Sequence, residues 1–138
     1  SGGSLVWDQT EALTVIDVNT GRYVGTTDLE ETVFATNIEA AEEIARLLRL
    51  RDTGGIILID FIDMGDERHR TQVAERLEML ARQDRTACHV LGWTRLGLME
   101  MTRKKVRRDA TLRLYEPCAA CGGRGVVYAG AGRMRDGG

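Results

Sequence analysis

A chain of 138 residues, 43% of them apolar, has the length for one domain with a real core and needs neither disulfide nor metal merely to fold. No stretch approaches the roughly 18 to 20 apolar residues of a membrane span, and the start lacks the zones of a secretion signal, so a cytoplasmic protein is expected. The net charge of −2 conceals an asymmetry: residues 1–67 carry 14 acidic and 4 basic side chains, residues 68–138 carry 7 and 15, and 17 of the 19 basic residues are arginine.

In chain order, "SGGS" at the start reads as a loose end, as does the glycine-rich "AGAGRMRDGG" at the finish. "EALTVIDVNTGRY" begins as a strand, with Leu13, Val15, Asp17 and Asn19 on one face and Thr14, Ile16 and Val18 on the other. "NTG" and Gly25 then read as a turn or bulge. The segment from Asp28 to Phe34 is harder to place and reads as loop. Thr36 and Glu39 form a capping box, after which Ile38, Ala41, Ile44, Ala45 and Leu48 recur at helical spacing to about Leu50.

"RDTGG" stops that helix, and Ile56 to Ile62 is apolar on both faces, as suits a central strand covered on both sides. A second helix is expected from about Arg68 to Asp84, burying Val73, Leu77, Leu80 and Ala81. "TACHVLGW" and "LGLMEMTRKKV" are shorter strands separated by a turn near Arg95, and Pro117 marks entry to a cysteine segment. The order strand, helix, strand, helix, strand, strand predicts an α/β layer with a mixed β-sheet and packed helices.

Two aspartates stand out. Asp17 ends one apolar strand and shares a face with Asn19; Asp60 lies within the other, where a charge is costly unless paired or bound to metal. If the strands are neighbours, the two carboxylates converge at the carboxyl ends and suit Mg²⁺, with water completing its shell. The competing reading is that such aspartates are turn formers or helix caps, a duty open to Asp63 and Asp66 before the second helix. Strand alternation sends Asp63 to the face opposite Asp60. Glu100 reads as a partner for a nearby arginine.

The arginine-rich "TRKKVRRDATLR" suits bidentate contacts to phosphate or carboxylate. Two readings stand side by side: a nucleic-acid footprint, or attraction between the oppositely charged halves or to a second subunit. Three cysteines cannot all pair within the chain; Cys88 reads as a core residue, while Cys118 and Cys121 in "CAACGG" have metal-knuckle spacing. One CxxC supplies two of the four ligands that structural zinc takes, and a redox CxxC is the alternative.

In these motifs the chain resembles the nuclease subdomain of the bacterial ribonuclease E/G family. The matching stretches are "SGGS", "TEALTVIDVNTGR", "TNIEAAEEIARLLRLRDTGGIILIDFIDM", "RLGLMEMTRKK" and "CAACGGRG", together covering most of residues 1–125. The resemblance implies a DNase I-like subdomain over 1–114, a zinc-link segment over 115–127 and a flexible tail over 128–138. It implies a cytoplasmic, Mg²⁺-dependent endoribonuclease that cuts single-stranded RNA in messenger RNA decay and ribosomal RNA processing, leaving a 5′-phosphate and a 3′-hydroxyl.

Residue by residue, the resemblance places metal ligation on Asp17 and Asp60, support on Asn19 and, at the turn, Asp63, and no general-base duty on His69 or His89. It assigns Cys118 and Cys121 to a zinc site shared with a second protomer of a dimer or tetramer. The alternative is a non-catalytic, zinc-linked dimerisation or RNA-binding module. The S1-type and RNase H-like portions that the family carries upstream fall outside the resemblance. Three positions depart from its pattern: Ala87 stands where an end-sensing arginine is found, and Trp7 and Trp93 where aliphatic, serine or similar residues are usual.

Overall fold

The computed structural model describes residues 3–20, 29–105 and Ala119. Its elements are β1 (Ser4–Gln9), β2 (Leu13–Asn19), α1 (Leu29–Leu50), β3 (Gly55–Asp60), α2 (Glu67–Arg82), β4 (Cys88–Trp93) and β5 (Met99–Arg103). All lie in the first of two compact units, Ser1–Val106 and Arg107–Gly138. The expected zinc-link and tail segments, Ala119 apart, fall outside the described residues.

Period-two alternation decides which face of the sheet is buried. Thr14, Ile16 and Val18 of β2, Ile57 and Ile59 of β3, and Met99 and Met101 of β5 are buried. The apolar members of that set join Val33, Ala41, Ile44 and Leu48 of α1 and Val73 and Leu77 of α2 in a single core cluster. The sheet is mixed, in the order β1-β2-β3-β5-β4. Only β2 and β3 run parallel among its pairs, as a strand, crossover helix and strand require.

The opposite face is open: Val6 and Ile56 are half exposed and Val15 is 36% exposed. This corrects the expectation that the strand over Ile56 to Ile62 is covered on both sides. Both described helices pack against one layer, and the apolar residues on β3's other face look outward. The strand also stops at Asp60 rather than Ile62.

Two more elements differ from expectation. The first residues form β1, an edge strand whose Leu5 and Trp7 pack on the core while Asp8 and Gln9 stay exposed. Its hairpin to β2 is fixed by the Thr10 N–H and hydroxyl, both donating to the Leu13 carbonyl at 2.8 and 2.9 Å. The alternation is too short to outweigh the flanking glycines when read alone. Helix α1 begins at Leu29, so the segment read as loop is helical from there. Thr36 is inside the helix rather than capping it, its hydroxyl donating to the Thr32 carbonyl at 2.8 Å. Buried Val33 extends the apolar stripe one turn toward the N-terminus, against the poor helix propensity of neighbouring Thr and Val residues.

After α1 the chain turns through Asp52, whose φ of 49° is left-handed, a conformation usual for glycine. Its carboxylate meets Arg103 at 2.9 Å. Gly54 follows because the β5 exit passes against it: a Cβ there would lie 2.7 Å from the Lys105 Cα. The remaining elements match expectation closely, except that Leu80 of α2 is half-buried while Val73, Leu77 and Ala81 are buried. Asp66 caps α2 by accepting from the Arg68 N–H at 2.9 Å, and Gly97 (φ 82°) turns β4 into β5.

Candidate active site

The parallel ladder runs from Leu13↔Ile56 to Asp17↔Asp60. Each apolar run therefore ends in an aspartate at the same level, on strands whose backbones lie about 4.8 Å apart. Buried Ile16, Val18 and Ile59 point into the core beside them, which by alternation sends both carboxylates to the open face. The arrangement is the one anticipated for neighbouring strands.

The electrostatics register the convergence. Burial raises the Asp60 pKa, and the negative charges of Asp17 and then Asp63 push it further up. Asp63 is thus not removed from the site by alternation. The strand has ended at Asp60, so period two no longer governs the chain, and Asp63's charge is felt at Asp60. Asp66, not Asp63, serves as the helix cap.

Asn19, the last residue of β2, is exposed and shares the Asp17 face. Glu100 shares it too. It pairs with Leu58, two residues before Asp60 along β3, and no ion pair to an arginine is found for it among the described residues. Antiparallel pairing with β3 turns Glu100 outward on the carboxylate face. No group of three or more His, Cys, Asp or Glu is placed to hold a metal among the described residues. The register instead sets two carboxylates, Asp17 and Asp60, side by side. That donor set fits Mg²⁺, which takes one or two carboxylates and keeps several waters, and the solvent-facing position leaves room for them.

His69 stacks on Phe34 with ring centroids 4.3 Å apart. His89 pairs with Thr102, which pairs with Ile56, four residues from Asp60 and so about 13 Å along the strand. Cys88 is a free, half-buried thiol whose pKa is raised by burial and then by Asp84, which keeps it protonated. Cys118 and Cys121 lie outside the described residues.

The structure also divides the basic segment. Arg103 is buried, donating to Asp84 (2.9 Å), Asp52 (2.9 Å) and the Thr53 carbonyl (3.1 Å), so it is not available to phosphate. Arg76 pairs with Glu42 between α2 and α1. Attraction between the two halves of the chain is therefore realised in part. Lys104 and Lys105 are exposed, Lys105 Nζ donating to the Glu11 carbonyl at 3.3 Å. Both atypical tryptophans carry an arginine: Arg51 lies 4.7 Å from the Trp7 ring centre, Arg70 5.1 Å from that of Trp93. Ala87 is exposed.

Sequence reasoning passed over Asn37. It is fully buried in α1, with its amide bonded to the backbone of Ile62, two residues beyond Asp60. Its position on the buried stripe of a helix was the available signal, since an amide there must find a partner.

Comparison with known proteins places these residues in a wider setting. Residues 1–106 match the model of the Ribonuclease E/G family. The chain is 53% identical over 127 residues to Ribonuclease G of Escherichia coli strain K12, covering 92% of this chain and 26% of that protein. It is 52% identical to Ribonuclease G of Haemophilus influenzae over the same shares. To Ribonuclease E of Escherichia coli strain K12 it is 50% identical, over 92% of this chain and 12% of that protein. The chain thus spans about a quarter of the length of the Ribonuclease G relatives it matches.

Proposed function

The chain belongs to the ribonuclease E/G family, and from that premise we propose that it is the DNase I-like nuclease subdomain of a Mg²⁺-dependent endoribonuclease. Its substrate is single-stranded RNA, cut to 5′-phosphate and 3′-hydroxyl ends in messenger RNA decay and ribosomal RNA processing. The observation that carries this reading is the register that sets Asp17 beside Asp60 at the open carboxyl ends of two parallel strands.

In this reading Asp17 and Asp60 hold the Mg²⁺. When bound, the ion lowers the pKa of a water and offsets charge developing on a phosphoryl oxygen, so the site needs no general-base histidine. Asn19 orients the site from the end of β2. Asp63 adds negative charge that strengthens the pull on a cation.

The same reading assigns Cys118 and Cys121 to a zinc site shared between two protomers of a dimer or tetramer, and the protein to the cytoplasm. Among the described residues no helix is long and apolar enough to cross a membrane. A second reading is a zinc-linked dimerisation or RNA-binding module without turnover. Substrate held loosely forfeits several kcal/mol of orientation. Cleavage of a fluorescent single-stranded RNA, with and without Mg²⁺ and with the upstream portion of the family supplied, separates the two. Mg²⁺-dependent cutting supports the enzyme; RNA binding without cutting under every condition supports the module.

A further inference from the structure

We infer that Asn37 is the positioning residue of the carboxylate pair, clamping the backbone of Ile62 from inside α1 and so fixing where the chain leaving β3 holds Asp60 against Asp17. The inference rests on the reading that Asp17 and Asp60 hold a divalent cation.

The geometry is specific. Asn37 Nδ2 donates to the Ile62 carbonyl at 2.9 Å, and its Oδ1 accepts from the Ile62 N–H at 3.1 Å. One amide thus satisfies both polar groups of one residue. This is what a neighbouring strand would do had β3 continued, but β3 ends at Asp60 and the chain to Gly65 has no regular structure. The clamp replaces the missing ladder two residues beyond the ligand and one before Asp63. Phe61 and Met64, buried on either side of it, keep the segment down.

An ordinary core residue could fill the same space. Asn37 is fully buried, and a buried amide is costly unless its hydrogen bonds are made. A leucine, of the same branched shape though larger, would carry no such demand, yet it would leave the Ile62 N–H and carbonyl unheld. The amide therefore does something packing cannot: it sets the direction in which the backbone departs from Asp60. Support of this kind around a ligand typically changes metal affinity about 10- to 100-fold when removed.

The test measures Mn²⁺ binding by water-proton relaxation, and thermal stability, on the full 138-residue chain and its variants. The variants are N37L, which keeps the branched shape and loses both bonds, N37D, which keeps the acceptor for the Ile62 N–H, and V73A, a core control on α2. The expected result is Mn²⁺ affinity about 10-fold weaker or more in N37L. N37D should fall between it and the unaltered chain, and V73A should bind normally despite lost stability. With the upstream portion and RNA supplied, kcat should fall in N37D while KM for RNA holds. Should N37L not fold, N37D carries the test. Folded Asn37 variants that bind Mn²⁺ as well as the unaltered chain, or a V73A that loses binding equally, would overturn the clamp. Failure of the unaltered chain to bind Mn²⁺ overturns instead the metal reading on which it rests.

Discussion

Asp17 and Asp60 occupy the same register position on adjacent parallel strands, so neither can leave the other's field without breaking the β2–β3 ladder. The ladder is anchored from below by fully buried Ile16, Ile57 and Ile59. Truncating any one of these to alanine costs about 2–5 kcal/mol. The repulsion between two partly solvated carboxylates is smaller than that, so the core wins and the pair stays together.

The first consequence is catalytic. Asp17→Asn and Asp60→Asn, each in a protein supplied with the family's upstream portion, should lower Mg²⁺-dependent RNA cleavage by about 100-fold or more while circular dichroism stays unchanged. Retained cleavage in either variant removes that residue from the mechanism.

A pH dependence of defined sign accompanies this. Because the folded-state pKa of Asp60 is raised, the folded chain binds the proton more tightly than the unfolded chain does. Asp60's contribution to stability is thus most favourable below its unfolded pKa and declines as pH rises through the raised folded pKa. Without divalent cation, Asp60→Asn should stabilise the protein slightly at neutral pH, by less than about 1 kcal/mol at so exposed a site. The gain should vanish toward pH 3 in thermal melts. A gain that is flat across pH would show that the carboxylate is not the cause.

Arg103 should behave in the opposite sense. Burial pushes the Asp84 carboxyl up, but the Arg103 guanidinium and the Thr86 N–H outweigh it and hold it below its ordinary value. That stabilisation is present at neutral pH and is lost as pH falls through the depressed folded pKa. Arg103→Met strands a buried carboxylate and should cost about 3–5 kcal/mol in urea denaturation. In this variant, acidification from pH 7 toward pH 4 should raise stability, reversing the trend of the unaltered chain. A variant that keeps the original acid trend would contradict the pairing.

These cases mark what the sequence could tell. Periodicity located α2, β2 and β3, because their apolar positions repeat without interruption, and it separated Asp17 from Ile16 and Asp60 from Ile59. It misjudged β3 as doubly covered, since Ile56 and Leu58 look alike whether a layer lies above them or not. It missed the first turn of α1, where Thr32, Val33 and Thr36 favour strand locally and only tertiary burial of Val33 decides otherwise. It also ran strand alternation past Asp60 to Asp63, although the strand had ended. Arg103 looked like a phosphate contact because its partners, Asp52 and Asp84, are 51 and 19 residues away. Asn37's partner is 25 residues away and equally invisible to any local pattern.

The proposed sharing of zinc between protomers gives a stoichiometric prediction. Metal analysis with mass measurement should find about one zinc for every two chains, and Cys118→Ser with Cys121→Ser should remove both the zinc and the dimer it links. One zinc per monomer excludes sharing between protomers.

Asp63 and Asp66 are three residues apart and should nonetheless fail in different ways. Asp66 takes the N-cap of α2 through the Arg68 N–H, and its pKa is lowered by hydrogen bonds from the Arg68 side chain and backbone. Asp66→Ala should therefore cost about 1 kcal/mol in urea denaturation, with Mn²⁺ affinity and cleavage per folded molecule unchanged. Asp63 is exposed, caps nothing and acts on Asp60 through its charge. Asp63→Asn should cost little stability but weaken Mn²⁺ binding severalfold at low ionic strength, with the loss shrinking as salt screens the charge. Substantial destabilisation by Asp63→Asn at full metal affinity would return Asp63 to the purely structural duty that strand alternation had assigned it.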